Sequence, residues 1–211
     1  MEINWFGQSF FKINLRDGKK IVKVVIDPFI KKDNLKPPRT EADILLSSDP
    51  SISPSLVKSV KGKPFLIHKP GEYDVKNTAI KGIYSYKGKK INVIYKFGDG
   101  EITLCHMGSF NQKELKEDQL ERMGKIDILM IPIGGENLDA KTAANIISQV
   151  EPGIIIPMNY KVSGLKAKLD KLDNFLKVMG SEEIKPQEKI KIRLKDIPDE
   201  NQESKIIVLK P

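Results

Sequence analysis

The sequence predicts one domain of the α+β or α/β class, in which helices cover β-sheets. Three observations lead there. The first half is dense in short alternating or β-branched runs. The second half alternates helical and strand patterns, and no stretch has linker composition or internal repetition. The length of 211 residues suits one such domain.

Each element has its own signal. Ile3 and Trp5, then Phe11 and Ile13, alternate with polar positions, and Ile21 to Ile26 is β-branched up to Asp27-Pro28. Asp17-Gly18 between them is a hairpin signal. Ile44-Leu45-Leu46 is a short buried run that stops at a polar segment, Ser47 to Ser55. Further strands are expected at Phe65 to Ile67, Ala79 to Tyr84, Ile91 to Phe97 and Glu101 to His106, the last two joined by Gly98-Asp99-Gly100. Leu115 to Met123 reads as a helix closed by Gly124. Ile126 to Ile131 is a strand, and Asp139 caps a helix with Ala140, Ala143, Ala144 and Ile147 on one face. After a strand at Gly153 to Pro157, the stripe Leu165, Leu169, Leu172, Leu176 and Met179 predicts a helix stopped by Gly180. Two β-like runs follow, Ile190 to Leu194 and Ile206 to Leu209. The reading is a main domain over residues 1–180, with a C-terminal β-like extension over 181–211 packed on it.

Composition excludes several classes. With 39 % hydrophobic and 30 % charged residues the chain is too apolar to be disordered. Apolar runs are far below the about 20 residues that a membrane helix needs. The start, Met1-Glu2-Ile3-Asn4-Trp5, has no basic region followed by an apolar one, so no signal peptide and a cytoplasmic location are expected. Cys105 is the single cysteine, which rules out an internal disulfide and a cysteine-rich zinc site. The net charge of +8 comes mostly from scattered lysines such as Lys19-Lys20, Lys31-Lys32 and Lys89-Lys90. Without an arginine cluster or aromatic residues between basic ones, that charge reads as solvated surface, and a nucleic-acid partner is not expected.

Several ordered stretches carry a resemblance. They are Asn4-Trp5-Phe6-Gly7-Gln8-Ser9, Ile26-Asp27-Pro28, Ala42-Asp43-Ile44-Leu45, Pro70-Gly71-Glu72-Tyr73-Asp74-Val75, His106-Met107-Gly108, Asp127 to Gly135, and Ile156-Pro157-Met158-Asn159-Tyr160-Lys161. Together, from Met1 to about Gly180, they resemble the metallo-β-lactamase superfamily, in particular its branch of zinc-dependent hydrolases related to the ascorbate-phosphate lactonase. The resemblance implies a four-layer αβ/βα sandwich with one or two zinc or manganese ions in a cleft at the sheet edge. The metals would be held chiefly by an H-x-H-x-D-H loop and would lower the pKa of a bound water.

Here that loop reads Ser48-Asp49-Pro50-Ser51-Ile52-Ser53. The positions that the resemblance aligns with ligands are Ser48, Pro50, Ile52 and Ser53, then Lys87, Ser109 and Asn159, with Lys87 aligned least firmly. Proline and isoleucine side chains have no coordinating atom. Gln8, Asp27, Asp49 and His106 are expected around the same cleft. His106 reads as a packing residue, His68 as a turn residue and Cys105 as a buried inert thiol, since strand neighbours point to opposite faces. Gly134-Gly135 lacks the ending of a phosphate loop. Asp27 and Asp49 could in principle do acid–base work, but their spacing does not demand it. The expectation is therefore no catalytic residue, no metal and no cofactor: a non-catalytic binding or scaffold protein with an unknown ligand or protein partner. The alternative is a metal-dependent hydrolase with an atypical site.

Overall fold

The computed structural model describes residues 1–87, 89–135, 138–181, 184–199 and 201–211, the side chains of Asp17 and Lys87 excepted. Strands β1 (Glu2–Trp5), β2 (Phe11–Asp17), β3 (Lys20–Ile26), β4 (Ile44–Leu46) and β5 (Phe65–Ile67) form one mixed sheet. Strand β12 (Lys189–Lys191) adds to its β1 edge. The second sheet, also mixed, runs in the order β13 (Lys205–Ile206), β11 (Ile154–Met158), β10 (Ile128–Pro132), β9 (Thr103–His106), β8 (Lys90–Gly98), β7 (Thr78–Lys87), β6 (Gly71–Val75). Both sheets therefore take a strand from the last thirty or so residues.

Alternation along the strands builds the layers. Phe11, Ile13 and Leu15 of β2, with Val22, Val24 and Ile26 of β3, point into the main core shared with the second sheet. Val25 and Leu45 point outward and pack with Phe10, Ala42 and Val60 under Val57 of helix α1 (Pro54–Ser59). Strands β10 and β11 are buried at every residue, as expected of parallel strands covered on both faces. Helix α3 (Ala140–Val150) packs on β10 and α4 (Leu172–Val178) on α3, while α2 (Glu117–Met123) packs on β7. The result is a helix–sheet–sheet–helix sandwich. Among the described residues no helix is long and apolar enough to cross a membrane.

Local chemistry explains the helix ends. Asp139 caps α3 as expected, its carboxylate accepting from the Thr142 N–H at 2.8 Å. That bond holds the Asp139 carboxyl below its ordinary pKa. Gly124 ends α2 at φ +52°, a conformation disfavoured for other residues.

Some sequence expectations need correction. The helix expected from Leu165 to Met179 is only α4, because the preceding segment uses its backbone groups elsewhere. Lys161 N–H bonds the Asp170 carbonyl, Lys166 N–H the Asp33 carboxylate and Gly164 carbonyl the Asn34 N–H. Leu165 is buried by this loop all the same. The run Ile190 to Leu194 is a strand only to Lys191, then a 3₁₀ turn over Leu194–Asp196. The run Ile206 to Leu209 pairs as a strand only at Lys205–Ile206. Helix α1 and strand β6 were not expected. In α1, Ser53 caps the Leu56 N–H and Pro54 opens the first turn, where its missing N–H costs nothing.

Candidate functional site

The chain ends of the parallel strands bring the site residues together. Asp27 follows β3, the Ser47–Ser53 loop follows β4, Met107 to Asn111 follow β9, and Asn159 follows β11. Crevices beyond the carboxyl ends of parallel strands are the usual place for function in such sheets.

Asp27 organises the loop. It sits at φ +48°, with Oδ1 accepting from the Ser48 N–H and Oδ2 from the Ser48 hydroxyl, both at 2.6 Å. Ser48 is buried at 3 % exposure, and its carbonyl accepts from the Val93 N–H of β8. The Ser47 carbonyl accepts from the Tyr95 hydroxyl at 2.9 Å. Burial, then the nearby Asp27 charge, pushes that phenol well above its ordinary pKa, so it remains a donor.

The rest of the loop is bound in turn. The Asp49 carboxylate accepts from the Ser51 N–H at 2.8 Å, and the Asp49 carbonyl accepts from the Ser47 hydroxyl at 2.8 Å. His68 bonds the Pro50 carbonyl through Nδ1 at 2.9 Å, and because a carbonyl only accepts, Nδ1 carries the proton. Ile52 packs against the outer core, and Ser53 is the cap of α1.

Facing the loop, Gly108 lies at φ +61°. A Cβ there would come within 2.3 Å of the Ser48 Cβ and 2.7 Å of Asn92 Oδ1, so only glycine fits. Asn92, buried in β8, donates to the Ser85 hydroxyl at 2.6 Å and the Met107 carbonyl at 3.0 Å, and accepts from the Ser109 N–H at 2.7 Å. The sequence reading missed Asn92 and Gly108. A lone amide inside the apolar run Ile91 to Phe97 was the available signal for the first.

His106 is fully buried, edge-on to Phe11 at 5.6 Å between ring centroids. Its Nε2 donates to the Ser9 carbonyl at 3.0 Å and its Nδ1 accepts from the Gly108 N–H at 3.0 Å. Burial pushes its pKa down to about 3, so the ring is neutral and both nitrogens are occupied. Cys105 is buried as well, its thiol pushed up to about 12. Gln8, at φ +54°, accepts through its carbonyl from Trp5 Nε1 at 2.8 Å and the Asn159 N–H at 3.2 Å. The buried Gln8 amide nitrogen has no hydrogen-bond partner among the described residues. Asn159 shares the left-handed conformation, at φ +56°.

Of the expected site residues, the structure therefore bonds Asp27 to the loop that holds Ser48 and Asp49, links Ser109 to that loop through Asn92 and Gly108, and links Gln8 to Asn159. Ser53 is drawn into a helix start and Ile52 into the core. The Lys87 backbone ends β7, and its side chain lies outside the described residues. Among the described residues, no group of three or more His, Cys, Asp or Glu side chains is placed to hold a metal ion.

Comparison with known proteins gives this arrangement its context. A family model described as a β-lactamase superfamily domain matches residues 2–159. The chain is similar to a UPF0173 metal-dependent hydrolase of Anaeromyxobacter dehalogenans, 30 % identical over 95 residues. That match covers 44 % of this chain and 32 % of the relative, so it spans about a third of the relative's length. A crystal structure from Thermotoga maritima, assigned as a Zn-dependent hydrolase of the metallo-β-lactamase superfamily, superimposes with a TM-score of 0.80 at 30 % identity, covering 99 % of this chain and 97 % of that one. The metallo hydrolase Igni18 of Ignicoccus hospitalis shares the fold at 15 % identity, with a TM-score of 0.62 over 91 % of this chain and 99 % of that one. With its family match running through most of the sandwich, this chain belongs to the metallo-β-lactamase superfamily.

Proposed function

We propose that this chain is a metal-free, non-catalytic member of its superfamily, acting as a binding or scaffold protein. One observation carries the reading: the side chains at the four loop positions aligned with ligands, Ser48, Pro50, Ile52 and Ser53, have other employment or no donor atom. Pro50 and Ile52 cannot coordinate. The Ser48 hydroxyl is given to Asp27, and Ser53 caps a helix. Of the nearest acids and imidazoles, Asp27 is bonded to Ser48, Asp49 to Ser51 and both nitrogens of His106 to Ser9 and Gly108, while His68 bonds the Pro50 carbonyl through Nδ1 and keeps Nε2 as a single donor. A zinc or manganese site needs three or four converging nitrogen, sulfur or carboxylate donors, and this set does not fit one.

The names of the relatives favour a second reading, a metal-dependent hydrolase with an atypical site. Hydrolysis of a nitrophenyl ester and a bis-nitrophenyl phosphate, measured in chelator and then with added Zn²⁺ or Mn²⁺, separates the two. The expected result is no turnover above the buffer blank in any arm. Metal-stimulated turnover that a chelator abolishes would establish the second reading instead.

A further inference from the structure

The tip of the β7–β8 hairpin exposes Tyr84 at 50 %, Tyr86 at 43 % and Ile91 at 44 %. Strand alternation puts the three on one face. Tyr84 and Tyr86 are two residues apart, and Tyr86 is paired with Ile91. It is the face on which Tyr95, opposite Gly82, reaches the Ser47 and Ile67 carbonyls at the six-stranded sheet. The tyrosines therefore point toward the side of that sheet, at a part of the hairpin left open to solvent.

The strand that carries them is held in place. Its free edge is bonded by the Gln119 amide to the Tyr84 carbonyl at 2.6 Å, by the Tyr86 N–H to Gln112 Oε1 at 3.0 Å, and by the Asn111 N–H to the Tyr86 carbonyl at 3.0 Å. Lys89 is exposed at the turn, and Lys90, the first residue of β8, is exposed on the opposite face from Ile91. The Lys116 ammonium lies 6.0 Å from the centre of the Tyr86 ring. Glu117 and Asp118 follow Lys116 directly, so anionic charge is best received at the Lys89 end. Lysine charge that reads as scattered along the sequence is here set beside exposed rings on a fixed strand.

We infer that this face binds single-stranded nucleic acid. Same-face positions on a strand are about 7 Å apart, so two rings can each stack on a base splayed from an extended strand. Every base has a π-face, so such stacking tolerates any sequence, while Lys89 at the turn takes a phosphate. A duplex hides its bases and offers the rings nothing. The inference goes beyond the metal-free reading and does not depend on it, because the hairpin face is not made of the ligand-aligned side chains.

The test is fluorescence anisotropy with labelled oligo-dT and oligo-rU of about 20 nucleotides, a length chosen to exceed the usual site of one stacking module. The buffer holds chelator and about 150 mM salt, where nonspecific charge attraction is already weak. Saturable binding of single strands in preference to a duplex of equal length is expected. The pair Tyr84→Ala and Tyr86→Ala should weaken binding at least about tenfold with the salt slope retained, whereas Tyr84→Phe with Tyr86→Phe should keep the affinity. Lys89→Gln should reduce the salt slope by about one. The phenylalanine and single Tyr86→Ala variants keep the test decisive if the double alanine variant does not fold. No binding at that salt, equal binding of duplex, or affinity indifferent to the tyrosines would overturn the inference. Because chelator is present throughout, such a failure leaves the metal-free reading standing.

Discussion

The Ser47–Ser53 loop and the β7–β8 hairpin tip meet where Val93, the register partner of Tyr84, donates to the Ser48 carbonyl. The two regions use their side chains in opposite ways. In the loop, Asp27, Ser47, Ser48, Asp49 and Ser53 spend their polar groups on the protein itself. At the hairpin tip the polar bonds come from the backbone, and the rings of Tyr84 and Tyr86 are left at the surface. The contrast teaches that one fold can spend its polar side chains differently in two places. A region that bonds inward supplies rigidity, and one that faces outward leaves its rings to solvent.

The comparison can be broken by mutation, and the loop should suffer most. Gly108→Ala forces a Cβ to within 2.3 Å of the Ser48 Cβ at a φ of +61°. Overpacking together with left-handed backbone strain should cost about 3 kcal/mol or more. For a chain of this size that is a fall in Tm of roughly 6–12 °C by calorimetry. A change under about 1 kcal/mol would mean that loop and β9 turn are not in the close contact described.

Asp27→Ala is expected to come next. It leaves the buried Ser48 N–H and hydroxyl without their acceptor, a loss of about 2–3 kcal/mol in urea unfolding. Amide exchange should quicken over residues 48–53 while the hairpin stays protected. By contrast, Tyr84→Ala removes a half-exposed ring and should shift stability by less than about 0.5 kcal/mol. Equal losses in the two variants would erase the distinction between the regions.

Acid gives a gentler probe. The His106 pKa is about 3 in the folded chain against an ordinary 6.5, with burial as the chief cause. The unfolded chain therefore binds the extra proton first as the pH drops. This contribution to stability is complete above 6.5 and is lost as the pH falls from there toward 3. Denaturant midpoints measured across that range should decline less steeply in His106→Gln than in the parent. An unchanged acid slope would assign the decline to other groups.

How far these features could be read from sequence depended on whether their cause was local. Strands β3, β8, β10 and β11 were legible because their apolar runs are continuous, and α3 because Asp139 and a regular apolar face announce it. The sandwich followed from ordered motifs rather than periodicity. Helix α1 was hidden because Ser53, Pro54 and Ser55 also spell a loop, and the stripe at Leu165 and Leu169 misled because apolar spacing records burial, not helical hydrogen bonding. At the site, the sequence placed Asp27 and Ser48 in one neighbourhood. It could not give their bidentate contact, which depends on the parallel register of β3 and β4. The closeness of Gly108 to Ser48 spans sixty residues and both sheets, and nothing in either local sequence encodes it. The exposure of Tyr84 and Tyr86 was likewise not legible, because it is decided by where the other sheet ends.

The most direct test of the metal-free reading is the metal content of the protein purified without chelator, measured by elemental analysis against protein concentration. Far less than one zinc, manganese or iron per chain is expected, with no rise in Tm when zinc is added, since a ligand that binds the folded state would raise it. One or two metal ions per chain, retained through gel filtration, would contradict the account and return this chain to the metal-dependent hydrolases.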